Sequence, residues 1–432
     1  MGDVYGFGAT AFATKTLQTI EELNQLIDID GILDRILGDC RRLANADAGT
    51  IFLVEGGTLK FSFVHNDTLF RQDVTSKVLY ADVTLPIDEA SVVGHAAVTR
   101  QVVVVDDAYH LGPGLPYTFN KDFDRKTGYR TRSILTVPLT TFRDQLVGVM
   151  QVINALDDQG RPAPFSDSAK KQVPLLAVKA ASAIERGLMT REQILRMMRM
   201  AELRDPSETG AHVQRVGAIA AEIYKRWAMN RALSDLKAKP FASNPEGVFA
   251  DVKRTAGLLR LAAMLHDVGK VGIADAILKK PGKLDDEEYA VMKWHSVLGA
   301  RLFATPTSDL DAMCLDIALH HHERWDGKGY PGDVGDMLGM EFAPGASVMG
   351  RPMAGEDIPI AARITALSDV YDALCSRRSY KEPWPREKVM DLIREESGRQ
   401  FDPEVVEAFF EIYEVVDAIQ RKFRELEHAA GK

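Results

Sequence analysis

Near Ser166 the hydrophobic rhythm of this 432-residue chain changes, and that change limits what each part can fold into. Before it, apolar residues fall in short β-rich runs separated by turn signals. After it, they recur every three or four residues and no alternating run returns. The first part can therefore build a sheet and the second cannot. In the first part Leu17, Ile20, Leu23 and Leu26 recur at helical spacing, and Ile32, Leu33, Ile36 and Leu37 repeat the pattern. TIFLVEGGTLKFSFV then sets two strand-like runs around Gly56-Gly57, a hairpin signal. VVVVDDA reads as a buried strand, with RSILTVPL and QLVGVMQVIN as a further pair. The expectation over residues 15–187 is an α+β module, an antiparallel sheet with helices on one face.

Beyond Ser166, Val173, Ala177, Ala180, Ile184, Leu188, Leu195 and Met198 predict one long helix, with 188–203 as a connecting segment. It either packs on its own module or pairs with its twin in a homodimer. Pro174 fits a first-turn position in it. From 204 to 425, runs such as GLLRLAAMLHDVGK and PIAARITALSDVYDALCS are apolar on more than one face and predict an all-α domain.

A net charge of -9 argues against nucleic acid as a partner, since nothing offsets phosphate repulsion globally. The three cysteines form no CxxC pair, which fits a reducing compartment and excludes a thiolate zinc site. The N-terminus has no cationic segment leading into an apolar run, and position 6 is Gly rather than Ser or Thr, so neither a signal peptide nor myristoylation is expected. No run approaches the ~20 apolar residues needed to span a bilayer. The expected location is the cytoplasm, with no membrane partner.

The histidines sharpen the second half. Six of ten (His212, His266, His295, His320, His321 and His322) fall there before the final tail. Glu208 and His212 stand i,i+4, on one face of a helix that Pro206 would start. His266-Asp267 closes an apolar helix, with Lys270 four residues beyond the His. An unpaired carboxylate buried there costs several kcal/mol unless a cation compensates it. His295 and Asp369 sit in further helical runs, and HHHERWDGKGYP carries His320–His322 into a glycine-rich turn. Any one of these could be a helix cap, an ion-pair partner or a satisfied core histidine. Together, His212, His266, His295, His321, His322, Asp267, Asp369 and Glu208 are too many donors for one ion. They suit two or three divalent ions, and imidazole mixed with carboxylate favours iron or manganese over structural zinc. His65, His95 and His110 have no mutual spacing and read as surface or core-satisfied residues.

Two families are resembled. SVVGHAAVTRQ, DFDRKTGYRTRSILTVPL, LVGVMQVINA and FSDSAKK resemble a GAF domain, which implies a small-molecule sensor or a dimerisation module. The cyclic-nucleotide signature of that family is broken, because Asn154 is followed by Ala155 and Phe165 by Ser-Asp-Ser-Ala-Lys-Lys. The small-molecule ligand is left open. From about 200 to 420, His266-Asp267-Val268-Gly269-Lys270, His321-His322-Glu323 and Gly329-Tyr330-Pro331 resemble the HD-GYP phosphodiesterases. That resemblance implies metal-dependent hydrolysis of cyclic di-GMP to pGpG, with GMP left open as an end product. It implies the same eight ligands, with Glu208 and His212 at a third metal site. Asp267 would bridge two ions, and Lys270 would lie near the scissile phosphate. Tyr330 would stand beside the substrate, while Arg378 and Lys381 grip its phosphates. Hydrolysis of another cyclic dinucleotide, such as cyclic GMP-AMP, and binding without turnover remain alternatives. Two departures stand out: residues 229–256 are long for the family, and the Gly- and Met-rich stretch 333–357 predicts a flexible lid.

Overall fold

The computed structural model describes residues 29–68, 84–204, 210–238, 245–342, 348–376 and 383–430. The helix expected around Leu17–Leu26 lies outside them. The chain divides into two compact units, Met1–Thr190 and Arg191–Lys432.

In the first unit α1 (Ile29–Ala44) leads into β1 (Ala46–Glu55) and β2 (Thr58–Asn66). These strands form the expected antiparallel hairpin. Gly56 and Gly57 take φ of 58° and 80°, the left-handed pair that a two-residue hairpin turn needs. There follow β3 (Thr84–Pro86), α2 (Val92–Thr99), β4 (Val103–Val105), α3 (Asp122–Thr127), β5 (Ile134–Thr140), β6 (Leu146–Leu156) and β7 (Pro162–Ala163). The sheet order is β3-β2-β1-β6-β5-β4, with β7 on β6, and every pair is antiparallel.

Helices cover both faces of this sheet, not one. Ile51, Leu53, Leu135 and Val152 pack under α1 and the first turns of α4 (Asp167–Arg204). Phe52, Leu59 and Val149 point the other way, onto Val92, Val93 and Ala96 of α2. Successive strand residues face opposite sides, so a run apolar at every position, as in β5 and β6, needs cover on both. VVVV also differs from expectation. It forms an edge strand whose Val104 is 37% exposed, because β4 has only β5 as a neighbour.

In α4 the predicted stripe turns inward: Val173, Ala177, Ala180 and Ile184 belong to the sheet's own core. A different set is exposed, with Leu175 at 61%, Val178 at 52% and Met189 at 58%. Pro174 lies inside the helix, beyond its first turn, where it removes one N–H from the ladder.

The second unit has no strand among its described residues. Its helices are α5 (Gly210–Ala238), α6 (Pro245–Ala263), α7 (Asp275–Leu278), α8 (Asp286–Arg301), α9 (Asp309–His320), α10 (Ile360–Cys375), α11 (Arg386–Glu395), α12 (Pro403–Glu411) and α13 (Tyr413–Ala430). A 3₁₀ turn, Val268–Gly272, joins α6 to α7. The long α5 packs against α6, α10, α12 and α13, while α8 packs against α9 and the 3₁₀ turn. Much of the added length at 229–256 is spent extending α5 and α6.

The stretch expected to be a flexible lid is, where described, largely exposed but anchored to the helical core at a few points. Val348 is buried with Trp294, Val297 and Ala318, and Val334, Met337 and Met340 lie against them. Arg301 of α8 donates to the carbonyls of Met337, at 2.9 Å, and Met340. Residues 343–347 lie outside the described set.

Candidate metal centre

His266 and Asp267 sit in the turn after α6, not on the helix itself, and Lys270 lies in the 3₁₀ segment. Gly269 makes this placement possible. A Cβ there would stand 1.9 Å from the His295 carbonyl oxygen and 2.3 Å from the Gly299 nitrogen, so only glycine lets the turn lie against α8. The turn thereby brings Asp267 Oδ1 to 3.2 Å from His295 Nε2.

Two groups of donors result. Asp267, His295, His321 and His322 can each offer one atom within 4.8 Å of the others, as can His212, His266 and Asp369. Asp267 faces both. Its Oδ1 lies 3.2 and 3.6 Å from Nε2 of His295 and His321, and its Oδ2 lies 3.2 Å from Nε2 of His266. Asp369 Oδ1 lies 3.4 Å from His212 Nε2 and 3.9 Å from His266 Nε2. Lys270 Nζ reaches Asp267 Oδ2 at 2.7 Å.

The outer bonds of the rings define which nitrogen carries a proton. Nδ1 of His266, His295 and His321 lies 2.8, 2.7 and 2.9 Å from the carbonyls of Ala263, Met292 and Ile317. A carbonyl only accepts, so Nδ1 donates and the Nε2 of each neutral ring presents a lone pair inward. His295 Nε2 and His321 Nε2 then stand 3.5 Å apart, with a carboxylate oxygen beside them. Acceptors crowded this way need a proton or a cation between them. Burial drives the pKa of His321 down against the opposing pull of Asp267, and drives that of His322 well down, with His321 and His295 adding to it. Protons are thus disfavoured on these two rings. An all-nitrogen-and-oxygen donor set with inward lone pairs fits a divalent metal ion.

The carboxylates are ready for the same role. Burial works to raise Asp267, but Lys270 and His266 outweigh it and hold the carboxyl well below its usual range. Asp369 is likewise held down against its burial, mainly by the adjoining His212 and then His266. Tyr330 stacks on His322 with ring centroids 4.7 Å apart. Glu323 accepts from the Gly332 amide and so ties the Gly-Tyr-Pro turn to the end of α9.

Of the site residues read from the sequence, His212, His266, Asp267, Lys270, His295, His321, His322, Tyr330 and Asp369 come together. Glu208, Arg378 and Lys381 lie outside the described residues. His320 belongs to neither donor group; its Nδ1 stands 3.7 Å from Glu323 Oε1.

Sequence reasoning missed Asp372, a fully buried carboxylate behind His212. Its Oδ2 lies 2.7 Å from His212 Nδ1, and it accepts from Arg215 Nε at 2.7 Å, Arg215 Nη2 at 3.1 Å and Gln420 Nε2 at 2.6 Å. Burial opposes its charge, and the bonds from His212 and Arg215 hold its pKa down. The missed signal was spacing: His212-x-x-Arg215 and Asp369-x-x-Asp372 each repeat after one helical turn, on two packed helices.

In the first unit His65 pairs with Asp34 at 2.8 Å, exposed His110 with Asp107 at 3.0 Å, and His95 Nδ1 stands 3.5 Å from Glu89 Oε2. No described helix is long and apolar enough to cross a membrane.

Known proteins match both units. Residues 28–184 match the GAF domain, residues 209–374 the HD domain, and residues 349–405 a further HD-domain model. A cyclic di-GMP phosphodiesterase of Vibrio cholerae is 39% identical over 237 residues, covering 54% of this chain and 41% of that protein. One of Thermotoga maritima is 36% identical over 242 residues, covering 56% and 54%. The 3'3'-cGAMP-specific phosphodiesterase 2 of Vibrio cholerae is 35% identical over 213 residues, covering 49% and 33%. The chain thus spans between about a third and about half of the length of these relatives. The antiparallel sheet of the first unit lies within the GAF-domain match and the helical unit with its donor groups within the HD-domain match.

Proposed function

We propose that residues 204–425 form a metal-dependent phosphodiesterase that hydrolyses cyclic di-GMP to pGpG, under the regulation of the sensor module at 15–187. The observation that carries this reading is Asp267, whose two oxygens face two separate histidine groups. Relatives named cyclic di-GMP phosphodiesterase support the substrate. We assign two or three iron or manganese ions to this centre, with the Glu208 and His212 pair as the ligands of a third.

Bound ions would supply Lewis acidity at the phosphoryl oxygens and a nucleophile usable near neutral pH. The protein's own groups do the rest. Asp267 holds the two donor groups in register. Lys270, on Asp267 Oδ2, carries the cation that offsets developing charge or the proton for the leaving 3′-oxygen. Arg378 takes a phosphate through two parallel N–H groups, Lys381 adds a point charge, and Tyr330 borders the substrate. These cations are how a chain of net charge -9 holds an anionic dinucleotide.

A relative named for 3'3'-cGAMP favours cyclic GMP-AMP as the second reading. The deciding assay is turnover of both dinucleotides by the metal-loaded chain, beside elemental analysis. Cleavage of neither would leave a receptor without turnover. Asp267→Ala with full activity and full metal content would sink the site assignment. The exposed Leu175, Val178 and Met189 support pairing of α4 in a homodimer, which a monomer mass by light scattering would refute. Three buried free cysteines support a cytoplasmic location.

A further inference from the structure

The first unit holds a cavity of about 240 Å³ on the α2 side of its sheet. Phe52, Phe61, Phe119, Phe123, Ile134 and Ile153 give it apolar and largely aromatic walls. Phe52 and Phe61 meet edge to face at 5.3 Å, leaving a shaped slot suited to a flat ring.

The polar groups at its margin are occupied with one another. The Asp124 carboxylate accepts from Tyr109 Oη at 3.0 Å, from the Thr131 amide at 2.7 Å and from Thr131 Oγ1 at 2.9 Å. Tyr129 donates to Asp47 at 2.7 Å and accepts from Asn154 Nδ2 at 3.0 Å. Gln151 gives its Nε2 to Thr136 Oγ1 at 3.0 Å. Gln151 and Thr50, its partner across β1 and β6, line the same wall and give the cavity a polar edge.

Charge decides the ligand class. No lysine or arginine lines the cavity among the described residues, whereas the buried Asp124 does. An anionic guest would lose its water and meet the Asp124 carboxylate, while His65, the one imidazole of the described lining, is already paired with Asp34 at 2.8 Å, a burial that costs several kcal/mol. A neutral ring pays none of this and gains aromatic contact. We propose that this cavity binds a small neutral aromatic molecule with a single hydrogen-bonding edge, and excludes anionic nucleotides. The inference rests on reading this unit as the sensor module. Its test measures binding, so it is independent of turnover in the other unit.

Isothermal titration of the full chain with indole and with indole-3-carboxylate, one ring with and without charge, tests it. Indole should bind saturably and the carboxylate at least about tenfold more weakly. Ala48, 2% exposed at the cavity wall, becomes a plug in Ala48→Leu, which should abolish indole binding while the unit still melts cooperatively. Should that variant fail to fold, Phe123→Ala on the 38% exposed rim should weaken indole about tenfold without touching the sheet. No indole binding, equal affinity for both probes, or indole affinity unchanged in both variants would each overturn the proposal.

Discussion

Both units bury polar side chains, and they meet the cost in opposite ways. Around the first unit's cavity Asp124, Tyr129 and Gln151 each find partners within the protein. In the second unit His295, His321 and Asp267 turn acceptors toward one another, with every Nδ1 proton already committed outward. The first arrangement is complete on folding alone. The second is a folded state still owed a positive charge, which separates a structural polar network from a site built for a cation.

Breaking the polar residue at the heart of each network should therefore give different symptoms. Asp267→Ala is expected to cut turnover at least about a thousandfold, roughly 4 kcal/mol, and to lower bound metal by elemental analysis. Asp124→Ala should lower the melting temperature of the first unit and leave metal content unchanged. Metal lost equally in both variants would erase the distinction.

The two kinds of glycine make the next contrast. Gly269 sits where a methyl group would enter backbone, so Gly269→Ala must push the turn off α8 and pull Asp267 from His295. A loss of about 3 kcal/mol is expected in the second unit, with weakened metal binding. Gly56 has nothing within 4 Å of its hypothetical Cβ and only its positive φ to defend, so Gly56→Ala should cost about 1 kcal/mol in the first unit. Denaturant melts followed in each unit compare the two.

Chelation tests the whole contrast without a mutation. A metal ion present at a hundred times its Kd stabilises by about 2.7 kcal/mol. Calorimetry with and without EDTA should show the second unit's transition falling and the first unit's holding still. Equal shifts would mean that the acceptors of the second unit are satisfied in another way.

Which parts of this were legible in the sequence follows from the range of each signal. The hairpin at Gly56-Gly57 and the helical second unit come from local patterns, and they fold as local patterns direct. The His-Asp motif was readable as chemistry but not as geometry, because the close approach of Gly269 to α8 depends on a contact between distant segments. The two-faced cover of the sheet was hidden for the same reason: β5 reads as an apolar run whether one face or both is packed. In 333–357 composition showed the exposed, glycine-rich character but not the anchors, since Met337 and Met340 pack against the core cluster of Trp294 and Val297.

Asp372 is the residue on which the smallest and sharpest prediction rests. It does not belong to either donor group, yet it fixes His212 by taking the Nδ1 proton's bond, and Arg215 and Gln420 in turn fix Asp372. A carboxylate behind a ligand imidazole raises its basicity and locks its orientation, and removing such a group typically costs ten- to a hundredfold in metal affinity. Asp372→Asn keeps the shape and replaces one acceptor oxygen by an NH₂ group, which then faces a donor from His212 or from Arg215. Metal affinity by competition with a coloured chelator should fall about ten- to a hundredfold, or roughly 1.4–2.7 kcal/mol. Turnover at saturating metal should recover to within about threefold of the parent, because Asp372 belongs to neither donor group and acts through His212. Unchanged affinity would reduce Asp372 to a packing partner of Arg215. Turnover that stayed low at saturating metal would mean that the orientation of His212 matters to the reaction itself, and not only to holding the ion.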